Sequence, residues 1–282
     1  MRVRERTGLL DVPGAQLYHE VRGEGPGLVI VPTGNGDATP MRPLATSLAD
    51  QGFTVVTYDR RGFSRSPIDL PFEVDRRPDD DADDIGRLIE HLDLAGAHVF
   101  GGSSGAIVAL GTLQRVPEQV GTVVAHEPPL ATALPDAEEW LAFYTDLYDR
   151  YRREGAAAAQ RHFRATMGMT ASTRPPPEVE LPGPQLAELL DRLRRNQDFW
   201  FEYEIRTYPS VVCDLRVLRA NASRLVLAGG TDSRSTWPYR PGLALAEQLD
   251  ASITHFPGGH VGYVTHPFAF ADRLAEVLAG AR

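Results

Sequence analysis

The stretch Val99-Phe100-Gly101-Gly102-Ser103-Ser104-Gly105-Ala106-Ile107-Val108-Ala109-Leu110 decides the fold. Ala97 to Phe100 is a short apolar run suited to a buried strand. Beyond four small residues, Ile107, Leu110 and Leu113 recur at helical spacing until Pro117 ends the pattern. Between strand and helix lies Gly101-x-Ser103-x-Gly105. A nucleophilic serine needs a tight, strained turn that lifts its hydroxyl clear of the backbone, and the residues two before and two after it must lack side chains. Ser103 has glycine at both positions, whereas Ser104 would have Gly102 and Ala106 and fits less well. A strand before the motif and a helix after it are the context that separates a nucleophile from an ordinary glycine loop.

Working outward, strands and helices alternate. Gly8 to Pro13 and Ala15 to Val21, parted by Pro13-Gly14, read as an antiparallel hairpin. Leu28 to Val31 is an apolar strand leading into Pro32-Thr33-Gly34-Asn35-Gly36-Asp37. A helix follows over about Pro40 to Gln51, then the strand Phe53 to Tyr58 and the segment Asp59-Arg60-Arg61-Gly62-Phe63-Ser64-Arg65-Ser66. A helix over about Asp80 to Leu94 precedes the Ser103 strand. The acidic run Asp79 to Asp84 at its start suits a helix N-terminus better than a cation site, because no flanking ligands have the spacing of a calcium loop. After the Ser103 helix, Val120 to Ala125 is a further strand. Such alternation argues for an α/β protein with a mostly parallel sheet covered by helices on both faces.

The pattern changes from about Ala131 to Ser210, where no strand-like run occurs. Helices are expected over about Ala137 to Arg153, Ala156 to Met167, Pro184 to Arg195 and Gln197 to Thr207. This segment reads as a helical cap, residues 131–210, inserted into a core formed by residues 1–130 and 211–282. It holds nearly half of the chain's aromatic side chains. Phe199-Trp200-Phe201-x-Tyr203 spreads four of them around one helix, so some are expected to line an apolar pocket rather than a single buried stripe. The sheet then resumes with Ser223 to Ala228, a helix over about Pro241 to Leu249, a strand from Ala251 to Phe256 and a last helix over about Pro267 to Leu278.

Composition narrows the chemistry. A chain of 282 residues with 42% hydrophobic and 24% charged content can bury one sizeable core. All 29 basic residues are arginine, which removes enzymes built on a lysine amine: Schiff-base and pyridoxal-phosphate enzymes, P-loop nucleotidases and protein kinases. A net charge of -9 offers no sequence-wide basic surface, so a small molecule is the expected partner, not nucleic acid or an anionic membrane. Cys213 stands alone and forms no internal disulfide. No apolar run follows Met1 to Arg6, and none is long enough to cross a membrane. A signal peptide is therefore not expected, and the cytoplasm is the expected location.

A serine hydroxyl needs a base, and the base needs a carboxylate to fix its tautomer. In an open parallel sheet such groups collect where strands end. Of the eight histidines, His260 is the best base, since it follows a strand and the loop Pro257-Gly258-Gly259. Asp232, after Gly229-Gly230-Thr231, is the expected acid, and Glu127, which also follows a strand, is its rival. The order Ser103, Asp232, His260 is the one expected for an elbow serine on such a sheet.

On these motifs, with the Asp59 to Ser66 segment, the chain resembles the α/β-hydrolase family over nearly its whole length. The resemblance implies eight strands, a cap after the sixth, a Ser103–His260–Asp232 triad and no cofactor or metal. It also implies an oxyanion hole made by the Ser104 backbone N–H and one from the loop after the third strand. Gly34 is the expected second donor and Asn35 the next; many relatives carry His-Gly in that loop, where this chain has Pro32-Thr33-Gly34. The implied activity is hydrolysis of a mid-sized apolar ester, lactone or thioester through an acyl-enzyme. Carbon–carbon bond hydrolysis, acyl transfer or perhydrolase-like chemistry on the same triad, and a non-catalytic small-molecule receptor, are the alternatives.

Overall fold

The computed structural model describes residues 5–169 and 173–280. Met1 to Arg4, from which the absence of a leader was partly read, lie outside the described residues, as do Thr170 to Ser172 within the expected cap and Ala281 and Arg282. The first half comprises β1 (Glu5–Val12), β2 (Ala15–Arg22), β3 (Gly27–Val31), α1 (Arg42–Asp50), β4 (Thr54–Tyr58), α2 (Arg77–His91), β5 (Ala97–Gly102), α3 (Ser104–Arg115) and β6 (Val120–His126). There follow α4 (Ala137–Glu154), α5 (Ala156–Thr166), α6 (Gly183–Tyr203) and α7 (Leu215–Ala220). The chain closes with β7 (Leu225–Gly230), α8 (Tyr239–Gln248), β8 (Thr254–Phe256), α9 (Gly262–Thr265) and α10 (Pro267–Gly280).

The strands form one eight-stranded sheet in the order β1-β2-β4-β3-β5-β6-β7-β8. β1, β2 and β4 pair antiparallel, and every pairing from β4 through β8 is parallel. Along β3 the side chains alternate between two apolar layers. Leu28 and Ile30 pack with Leu44 and Leu48 of α1 and Phe270 and Leu274 of α10, whereas Val29 and Val31 pack with Ile85 and Leu88 of α2 and Ile107 of α3. A strand buried on both sides reads as a continuous apolar run for this reason. Each such fully buried aliphatic side chain contributes about 1.5–3 kcal/mol.

The helices between β6 and β7 leave and rejoin the sheet at one place, where the Ala131 N–H donates to the Pro209 carbonyl at 3.0 Å. They carry their own apolar cluster, including Tyr144, Leu147, Phe201 and Ile205. One expectation fails here. The two helices read over Pro184–Arg195 and Gln197–Thr207 are a single helix, α6, which runs through Asn196 without a break. Asn196 is a weak helix former because its amide competes for local backbone groups. Here that amide is used on the core instead. Its Nδ2 donates to the Asn35 carbonyl and the Ser64 hydroxyl, both at 2.7 Å, and its Oδ1 accepts the Ser64 N–H at 3.0 Å.

Helix α2 starts earlier than its acidic run suggests, with Pro78 in its first turn, and those acids do more than favour the helix dipole. Asp81 and Asp84 are fully buried and pair with Arg60 and Arg61 of the loop after β4. Arg60 also donates to Glu204, next to the end of α6, and to the Tyr208 hydroxyl at 2.6 Å, while Arg77 donates to Glu204 at 2.6 Å. Three arginines and three carboxylates thus balance in a buried cluster. They tie α2, the loop after β4 and the end of the inserted helices together.

Candidate active site

Ser103 occupies the turn from β5 into α3 with φ 56° and ψ -128°, a left-handed conformation that costs energy for any residue with a side chain. The glycines around it are required sterically. A Cβ on Gly101 would stand 2.0 Å from the Gly105 carbonyl oxygen, and one on Gly105 would stand 2.6 Å from the Val31 and Pro32 carbonyl oxygens. The turn closes only because both positions are bare. It projects the serine hydroxyl toward His260, whose Nε2 lies 3.1 Å from Ser103 Oγ.

The other side of His260 corrects the sequence reading. Its Nδ1 lies 2.7 Å from Oε2 of Glu127, not beside Asp232. Glu127 follows β6, which lies between β5, the strand that leads to Ser103, and β7, the strand that leads to the Asp232 turn. Its Oε1 accepts the Gly230 N–H at 2.8 Å and the Ser233 hydroxyl. Asp232 lies on the exposed outer side of that same turn. Its N–H is held by the Gly258 carbonyl at 3.0 Å, and among the described residues its carboxylate accepts only the neighbouring Thr231 hydroxyl. The turn after β7 therefore supplies backbone and hydroxyl donors to Glu127 and faces its own carboxylate to water. The sequence holds one usable signal: Glu127 directly follows a strand, as Ser103 does. Choosing it over Asp232 requires knowing which way the turn after β7 faces.

Burial pushes the Glu127 carboxyl up, but hydrogen bonds from His260 and Ser233 and the neighbouring imidazoles outweigh it and hold the group at about 2. Glu127 is thus ionised at neutral pH. An ionised carboxylate can only accept, so the proton on the His260 ring sits on Nδ1, and Nε2 is left to accept from the serine hydroxyl. Behind the serine, His126 is completely buried, and burial lowers it to about 4. Neither of its nitrogens has a partner among the described residues, and it packs edge-on against Tyr263 and Phe270.

On the near side of the serine, Ser104 is the first residue of α3, and its N–H is among those a helix start leaves without an intrahelical partner. In the loop after β3, the Asn35 N–H turns back onto the Thr33 hydroxyl at 3.3 Å and is spent there. The Gly34 N–H makes no hydrogen bond among the described residues. A Cβ on Gly34 would lie 2.6 Å from Trp200 Nε1 and 3.2 Å from Ser104 Oγ, so Gly34 stands against both the cap helix and the head of α3. Of the two expected donors the geometry favours Gly34. Asn35 instead offers its carbonyl to Asn196, as described above.

Above Ser103 and His260 lies a cavity that opens in part to solvent. The inserted segment supplies most of its wall, including Tyr144, Phe163, Met167, Trp200 and Ile205, and Trp237 joins from the loop before α8. Among the described residues no three His, Cys, Asp or Glu side chains gather as a metal site, and no described helix is long and apolar enough to cross a membrane.

Comparison with known proteins places this arrangement. The family model for the alpha/beta hydrolase fold matches residues 26–251. The chain belongs to the α/β-hydrolase family, and it is a hydrolase. It is 36% identical over 278 residues to the hydrolase YraK of Bacillus subtilis, with 96% of each chain covered. It is 27% identical to a zearalenone hydrolase of Bionectria ochroleuca, covering 97% of this chain and 98% of that one. Among solved structures, a carboxylesterase of the thaumarchaeon Nitrososphaera superposes with a TM-score of 0.73 at 18% identity, covering 97% of this chain and 98% of that one. At that identity the likeness concerns the fold.

Proposed function

We propose that this protein is a serine hydrolase that cleaves a mid-sized, largely apolar carboxylic ester or lactone through an acyl-enzyme on Ser103. The observation that carries the reading is the unbroken chain from Ser103 Oγ to His260 Nε2 at 3.1 Å and from His260 Nδ1 to Glu127 Oε2 at 2.7 Å. Ser103 Oγ attacks the substrate carbonyl carbon while its proton passes to His260 Nε2. Glu127, ionised, stabilises the resulting imidazolium. The negative charge on the carbonyl oxygen rests on the N–H groups of Ser104 and Gly34, a type of contact worth about 3–4 kcal/mol per donor. His260 returns the proton to the leaving oxygen as the carbon–oxygen bond breaks. Water, activated by the same imidazole, then releases the acid.

The apolar wall of the cavity supports the substrate class, and the likeness to a zearalenone hydrolase supports hydrolysis rather than passive binding. The helices between β6 and β7 serve in this reading as a cap whose apolar side chains hold the substrate over Ser103. The test is kinetic. With a p-nitrophenyl ester that the wild type cleaves, Ser103→Ala is expected to lower kcat by about 10³-fold or more. Full activity in that variant would overturn the mechanism.

A further inference from the structure

We infer that the substrate carries a second oxygen acceptor, besides the carbonyl that reacts, and that Tyr144 and Trp237 bind it. The inference rests on the acyl-transfer reading only for where the substrate lies. Among the side chains around the cavity, most polar atoms are already engaged. Ser103 and His260 hold each other. Both oxygens of Glu204 are taken by Arg60 and Arg77, and the Tyr208 hydroxyl donates to Asp81. Besides the Ser104 hydroxyl and the Trp200 indole N–H, which are not sealed from the cavity, two donors in its wall are fully buried and not engaged. The Tyr144 hydroxyl and the Trp237 indole N–H have no hydrogen-bond partner among the described residues.

Both side chains are more than nine-tenths buried, at 2% and 6% exposure. They are also neighbours, with ring centroids 5.9 Å apart and the rings crossed at 73°. Two other aromatic donors in the inserted helices are satisfied by the protein. The Trp140 N–H donates to Asp136 at 3.0 Å, and the Tyr148 hydroxyl donates to Glu202 at 3.2 Å. Tyr58 and Tyr263 also bury unpartnered hydroxyls, but neither lines the cavity. Burying a donor without a partner is costly, and phenylalanine at either cavity position would keep the ring contacts without that cost. Two such donors, side by side in the wall of a reaction cavity, define a place for an acceptor brought by the ligand. A site built this way also rejects an analogue that lacks the acceptor, because its donors are then left unpaired. Burial raises the Tyr144 hydroxyl well above its ordinary value, so it remains a donor at any pH the enzyme meets.

The experiment compares p-nitrophenyl octanoate with its 5-, 6- and 7-oxo counterparts, which add one ketone acceptor at graded positions. The expected result is a best oxo ester preferred by about tenfold in kcat/KM. That ratio should fall toward one in both Tyr144→Phe and Trp237→Phe. In parallel, Ser103→Ala binds the corresponding ethyl esters under intrinsic tryptophan fluorescence, where the same ratio is read as Kd. If Ser103→Ala retained hydrolysis, the acyl-enzyme reading would fall while the binding series still judged the two donors. A wild type with no preference for any oxo isomer, or a preference that both variants keep, would overturn the inference.

Discussion

At the scale of single residues, the site turns on which carboxylate holds His260. Glu127→Gln keeps the shape but can donate to Nδ1 and so favours the wrong tautomer. It is expected to lower kcat by about 10³–10⁴-fold. Asp232→Asn, at an exposed position with a hydroxyl contact only from its neighbour, should leave kcat within about twofold. Steady-state kinetics on the two variants side by side decide the matter, and the opposite ranking would restore Asp232. Ser103 and its glycines were legible in the sequence because the constraint is local: a turn that needs bare positions two before and two after it shows them as Gly101 and Gly105. His260 was legible for a similar reason, as the end of a glycine loop. The acid was not. Glu127 and Asp232 both follow strands, and only the facing of the turn after β7, set by tertiary contacts with Gly258 and Glu127, separates them.

At the scale of elements, the join between the inserted helices and the core rests on groups that sequence patterns assign to the surface. Glu204 accepts from both Arg60 and Arg77 with no exposure at all. Glu204→Ala would leave two guanidinium groups buried with one carboxylate, and a loss of about 3–5 kcal/mol is expected in urea or guanidinium unfolding. A loss below about 1 kcal/mol would mean that water enters the cluster and screens it. This cluster was only half legible. The acidic run Asp79 to Asp84 marks a helix start, and Asp59 to Ser66 marks a loop of structural weight, but the paired residues lie 21 and 23 positions apart in the chain. Periodicity carries no signal for such a contact. The same holds for α6, where a local break at Asn196 is overridden by hydrogen bonds to Asn35 and Ser64.

At the scale of the whole molecule, acid sensitivity follows from the groups under the nucleophile. The unfolded chain binds a proton on residue 126 near pH 6.5, the folded protein only at about 4. Between those values the unfolded state holds the extra proton, so stability present above pH 6.5 is lost as the pH falls. Glu127 adds a second window: held at about 2 when folded against 4.5 ordinarily, it contributes stability above pH 4.5 that drains away toward pH 2. Calorimetry from pH 8 to pH 4 should show Tm falling through the upper window in the wild type and less steeply in His126→Leu. Equal slopes would mean that His126 is not held neutral. The succession of strands along the chain, by contrast, was readable, because apolar runs alternating with helical stripes record burial directly.

In the proposed mechanism one hydroxyl does the chemistry, and covalent labelling reports on that hydroxyl itself. A fluorophosphonate ester mimics the tetrahedral intermediate and bonds only to a nucleophile activated by its neighbours. Titrated against the intact protein and followed by peptide mass spectrometry, it should attach once, at Ser103, with esterase activity lost in proportion to the label. A protein fully labelled at Ser103 that still hydrolyses its ester, or one inactivated by a label elsewhere, would contradict the account.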